Sequence, residues 1–152
     1  MKSILYIMAM VVIILSGCSS EDGLNISVFA NEGQDSLIET IQTTLASEQS
    51  IEIEQLPPHY ERLITEIAAH NGDVLVVQQE LINDTVLDPE GLVPLDIDGG
   101  EQLVMVTNPE TGEEEAYGLI LPQSTTTELI ALIPVYSRYQ DQAVALLQQL
   151  VD

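Results

Sequence analysis

Few side chains in this sequence have the types and spacing that chemistry requires. Histidine occurs twice, at His59 and His70. Eleven residues, about three helical turns, separate them, too far for two ligands of one metal and unlike the i, i+4 pair of a zinc protease. His59 suits the start of a helix, and His70 suits its last turn, where a cation meets the negative end of the dipole. There is one cysteine, Cys18, so neither an internal disulfide nor a Cys-rich metal site can form. No G-x-S-x-G nucleophile motif and no phosphate-binding loop occurs. Glu113-Glu114-Glu115 reads as a solvated strand edge or turn rather than a catalytic or metal cluster, and Ser124-Thr125-Thr126-Thr127 as a loop. The expectation is a non-enzyme with no cofactor and no metal site.

The surroundings of Cys18 carry the clearest signal. Residues 1–17, MKSILYIMAMVVIILSG, place Lys2 before an apolar run from Ile4 to Leu15. Twelve residues fall short of the roughly 20 needed to span a bilayer. A positive start, a short apolar stretch and small residues before a cut form a secretory signal. Leu15-Ser16-Gly17-Cys18 is similar to the lipobox of bacterial lipoproteins. That resemblance implies that the Cys18 thiol takes a diacylglycerol and that cleavage before Cys18 leaves a lipidated N-terminus. The thiol is then unavailable as a nucleophile. Competing readings of the same residues are a signal anchor, or an ordinary secretory signal followed by an incidental cysteine.

The composition changes once residues 1–17 are set aside. The whole chain of 152 residues carries 25 acidic and 3 basic side chains, a formal charge of −22. The remaining 135 residues keep all 25 acids and only Arg62 and Arg138, for −23, with no lysine. Nucleic acid is excluded as a partner, because phosphate contacts need Lys and Arg. Three readings of the charge compete: a solvated surface in a salty or alkaline medium, a cationic partner or ligand, and a divalent-cation store. No segment has the ligand spacing of an EF-hand.

The elements that would position any site follow from periodicity. Cys18 and the polar residues to Gly23 form a tether, and residues 24–152 form a single domain. Asn25–Ala30 reads as a strand. Ser36-Leu37-Ile38-Glu39 matches a capping box, and Leu37, Ile38, Ile41 and Leu45 share a helical face, with the helix ending near Ser47–Gln49. Ile51–Leu56 is a second strand, stopped by Pro57-Pro58. Tyr60, Leu63, Ile64 and Ile67 form the next helical stripe, capped by Asn71-Gly72. Asp73–Gln78 is a strand whose continuous apolar run suits burial on both faces. This β-α-β-α-β start predicts three parallel strands with helices packed on the sheet.

The second half reads as a short helix over Glu80–Val86, a turn at Asp88–Gly91, a hairpin of Gln102–Thr107 with Ala116–Leu121, and a strand over Glu128–Pro134. A second capping box, Ser137-Arg138-Tyr139-Gln140, opens a final helix with Tyr139, Ala143, Leu146, Leu147 and Leu150 on one face. The expected fold class is α/β, a three-layer domain with a βαβαβ parallel start, a hairpin and a C-terminal strand and helix.

In order and pattern, residues 24–96 resemble the first lobe of the extracellular solute-binding lipoproteins of ABC importers. The stretches that carry the resemblance are Gly72-Asp73-Val74-Leu75-Val76-Val77 and Glu90-Gly91-Leu92-Val93-Pro94-Leu95-Asp96. Those receptors bind solute between two lobes, and 135 residues supply about one. The resemblance implies a lipid-anchored module on the extracytoplasmic side of the cell membrane, related to one solute-binding lobe and accessory to transport. The alternative is an envelope structural or protein-interaction lipoprotein with no small ligand. In open α/β sheets a ligand lies beyond the carboxyl ends of the strands. There Asn31, Gln34 and Gln78 could hydrogen-bond a polar solute, and Tyr60 could stack on it.

Overall fold

Six strands form one sheet in the order β2-β1-β3-β6-β5-β4. The computed structural model describes residues 23–31, 35–45, 50–121 and 128–151. Cys18, the signal and most of its tether, Gln34, the end of the first helix near Ser47–Gln49 and the Ser124–Thr127 loop lie outside the described residues. The chain runs β1 (Leu24–Phe29), α1 (Asp35–Leu45), β2 (Ile51–Leu56), α2 (Tyr60–Ala68), β3 (Val74–Gln78), β4 (Leu103–Thr107), β5 (Glu114–Ile120), β6 (Leu129–Leu132) and α3 (Gln140–Val151).

The expected βαβαβ start is present. β1 pairs in parallel with β2 and with β3. Leu24, Ile26 and Val28 of β1 pack with Leu37 and Ile41 of α1 and with Ala143, Leu146 and Leu147 of α3. Phe29, Leu75 and Val77 pack on the opposite face with Leu63 of α2. Helices therefore cover both faces, and every residue of β3 is buried, as its unbroken apolar run requires. The first crossover steps outward on one face and the second steps back past β1 on the other, so both have the same hand. β6 then pairs antiparallel with β3 and with β5, and β4 closes the far side as an antiparallel edge.

Three local expectations are corrected. Glu80–Val86 is not a helix. A single 3-10 turn spans Gln79–Leu81, after which the Asn83 side-chain oxygen accepts from the backbone N–H of Thr85 and Val86 at 3.0 and 3.1 Å. That Asx turn satisfies the donors a helix would have used. Ser36 does not cap α1, because the helix already begins at Asp35, an acid favoured in the first turn by the dipole. Ser137 does not cap α3 either. Its hydroxyl donates to Asp73 at 2.9 Å and accepts from the Tyr139 N–H at 3.2 Å, and the helix starts at Gln140.

Glycine matters most at the turn into β3. The left-handed residue that ends α2 is His70, at φ 57°, and Gly72 follows at φ 81°. A Cβ on Gly72 would stand 2.7 Å from the Ser27 hydroxyl. Both the backbone angle and the approach to β1 thus demand glycine.

Candidate functional site

The carboxyl ends of the parallel strands form a rim. β1 ends at Phe29 and leads through Ala30 to Asn31, while β2 ends at Leu56 and is stopped by Pro57-Pro58. Between them opens a cavity of about 440 Å³ lined by Asn31, Gln55, Pro57, Pro58 and His59, among others. The Gln55 side-chain amide donates to the Asn31 carbonyl at 3.4 Å, and the His59 N–H donates to the Pro57 carbonyl at 2.8 Å. The first bond ties the end of β2 to the loop after β1 across the cavity, and the second tightens the β2–α2 loop itself. His59 occupies the cap position of α2 in extended backbone, without a side-chain capping bond, so its ring is not committed to the helix.

Gln78 ends β3 on this rim, opposite Leu129 of β6. Phe29, the last residue of β1, pairs with Val77, so Gln78 ends β3 one residue beyond the last β1 pair. Val74 and Val76 belong to the core under α1, and strand alternation turns Gln78 to the same side. Gln78 is 7% exposed. Its side-chain Nε2 is fully enclosed and has no hydrogen-bond partner among the described residues. A buried amide donor without an acceptor costs about 1–3 kcal/mol. The β1/β3 boundary is also where the chain changes direction across the sheet, the position favoured for ligands in open α/β folds.

The predicted solute residues are therefore only partly gathered. Asn31 lines the cavity. Tyr60, 36% exposed, is the first residue of α2 and stands outside the lining. Gln78 lies across β1 from the cavity, and Gln34 is outside the described residues. Gln55 and His59 were not singled out for binding. Gln55 carried a signal, since it breaks the Ile-Glu alternation at the carboxyl end of β2.

The opposite end of the sheet is cross-linked by polar contacts. The Asp73 carboxylate accepts from the Asn25 N–H at 3.0 Å, the Ser137 hydroxyl at 2.9 Å and the Arg138 N–H at 3.3 Å. Glu66, 5% exposed, accepts from Asn71 at 2.7 Å and pairs with Arg62 at 2.6 Å. The Tyr136 ring stacks on His70 at 4.7 Å, and its hydroxyl donates to the Asn71 carbonyl at 3.0 Å. Burial, then the nearby Asp73 and Glu66 carboxylates, push the Tyr136 pKa up to about 12.

On the hairpin, Glu115 accepts from the Tyr117 hydroxyl at 2.7 Å and from Asn108 at 3.0 Å. The Asn108 and Tyr117 bonds hold the Glu115 pKa below the ordinary carboxylate value, and the bond to Glu115 raises that of Tyr117. Among the described residues no group of three or more His, Cys, Asp or Glu side chains could hold a metal ion, and no helix is long and apolar enough to cross a membrane.

No protein-family model and no solved structure matches the chain. Among curated proteins, it is similar to the Bacillus subtilis (strain 168) protein named "Putative lipoprotein YteS", at 29% identity over 154 residues, covering 93% of this chain and 90% of that protein. A match to 93% of 152 residues leaves about 11 outside it. Seventeen residues precede Cys18, so the matched span contains the lipobox. The likeness supports the reading of this chain as a bacterial lipoprotein anchored to a membrane. It is silent on any solute.

Proposed function

We propose that this chain is a non-catalytic lipoprotein, held on the extracytoplasmic side of the cell membrane through Cys18, that takes a small polar solute at the carboxyl ends of β1, β2 and β3. The anchor is supported by the lipobox-like Leu15–Cys18 and by the relative whose match spans it. Two acyl chains hold a protein stably where one holds it marginally. The anionic surface, repelled by anionic lipid, adds nothing to that attachment.

The observation that carries the solute reading is the enclosed Gln78 amide, without an acceptor among the described residues, one strand across from a rim cavity lined by Asn31, Gln55 and His59. A solute carbonyl, hydroxyl or carboxylate oxygen would satisfy that donor.

A thermal-shift screen of the unlipidated chain against neutral sugars, amino acids and metal ions tests this. A solute at about 100 times its Kd adds about 2.7 kcal/mol of stability, roughly 10 °C in Tm for a domain of this size. Gln78→Leu separates site from scaffold. Removing an unpaired amide should leave the free protein as stable as before or more so, and should abolish the solute's shift. A flat screen at millimolar concentrations, with a protein partner recovered by crosslinking, would instead favour the protein-interaction alternative.

A further inference from the structure

The two edges of the sheet are built differently. β2, at one edge, alternates Ile51 and Ile53 with the exposed Glu52 and Glu54. β4, at the other, reads Leu103-Val104-Met105-Val106-Thr107, with no charge and no proline. No residue of β4 is buried, and Met105 is 50% exposed. Among the described residues β4 pairs only with β5. An exposed apolar edge of this kind is a template for another strand, which proteins ordinarily blunt with lysine, proline or a bulge. The one irregularity does not blunt it. Val104 pairs with Gly118 and Met105 with Ala116, so the extra residue is Tyr117 on the inner strand, and β4 itself stays regular.

Charge selects the occupant. No Lys or Arg occurs between Arg62 and Arg138. Asp98 and Glu101 precede β4, and Glu110, Glu113 and Glu114 follow it through the hairpin. A second copy of the chain would bring the same carboxylates against these. We infer that the β4 edge is a docking site for an extended, cationic segment of another protein, which adds antiparallel or parallel to β4 by backbone hydrogen bonds and sets Lys or Arg against the flanking acids. Backbone bonds supply affinity in this mode, and flanking side chains supply selectivity. This surface lies at the far edge from the rim cavity and does not depend on a solute binding there.

The test uses the unlipidated mature chain, Cys18→Ser, which contains every element of the fold, and a short peptide of alternating Val and Thr with lysines at both ends. Backbone amide NMR should show shifts centred on residues 103–107, with affinity falling several-fold as salt rises from about 50 to about 500 mM. The same peptide ended by glutamates, or N-methylated on alternate residues so that it cannot form a ladder, should bind at least tenfold more weakly. Met105→Lys, at an exposed position that leaves the core intact, should weaken the cationic peptide by a similar factor. Shifts scattered over the acidic surface, equal binding of the N-methylated peptide, or a homodimer whose shifts map to β4 would each overturn the inference.

Discussion

Single groups set the polar end of the molecule. Asp73 gathers three donors from β1 and from the turn before α3, so Asp73→Ala should cost about 2–4 kcal/mol in urea unfolding and Ser137→Ala about 1. Equal losses from the two variants would mean that the hydroxyl, not the carboxylate, ties the turn down. Tyr136 gives a prediction with a pH window. An unfolded tyrosine ionises near pH 10, whereas this one is pushed up to about 12 by burial and by Asp73 and Glu66. Folding thus favours the neutral phenol. The stabilisation is complete below pH 10 and is lost as pH rises toward 12. Tyr136→Phe forgoes the bond to Asn71, about 1 kcal/mol at neutral pH. Wild type should lose about 1–2 kcal/mol relative to that variant between pH 10 and 12, after discounting for partial exposure. A gap that stays constant from pH 8 to 12 would refute the assignment.

At the scale of elements, the tightest constraint is the approach of the α2–β3 turn to β1. Gly72→Ala forces a Cβ into the left-handed region and against Ser27, and should destabilise by about 2–3 kcal/mol. Ser27→Ala in that background should recover the steric part and leave the backbone part; no recovery at all would mean that strain alone acts. The pieces that periodicity describes well, β1 to β3 with α1 and α2 between them, were legible because each helix buries one regular stripe and the unbroken apolar run of β3 announces burial on both faces. The hairpin was legible from its turn residues. Other features were not, because their causes are distant in sequence. Ser137 looks like a cap until Asp73, 64 residues away, takes its hydroxyl. Glu80–Val86 is apolar enough for a helix until the Asn83 side chain claims its donors. Nothing local in Leu129–Leu132 says that β6 inserts antiparallel beside β3. That insertion helps enclose Gln78, so the rim loops could be foreseen from topology while the orphaned amide could not.

For the whole molecule, location and charge act together. Cys18→Ser should release the protein from the membrane fraction, whereas continued retention of an uncleaved precursor would indicate a signal anchor. The remaining 135 residues carry −23 within a radius of gyration of about 14 Å. At 10 mM salt the screening length is about 30 Å, so every carboxylate feels all the others; at 1 M it is about 3 Å. Repulsion is stronger in the compact state than in the expanded one, so NaCl over that range should raise Tm by several degrees. Sodium chloride is the right probe, because sulfate would also strengthen apolar burial. Calcium then separates the readings of the charge. If the acids only coat the surface, millimolar CaCl₂ should match NaCl at equal ionic strength, apart from a small valence effect. A Tm rise far beyond that, saturating with calcium, would require specific binding and restore the divalent-cation reading. A Tm unmoved by either salt would mean that the carboxylates are already spaced widely enough for water alone to screen them.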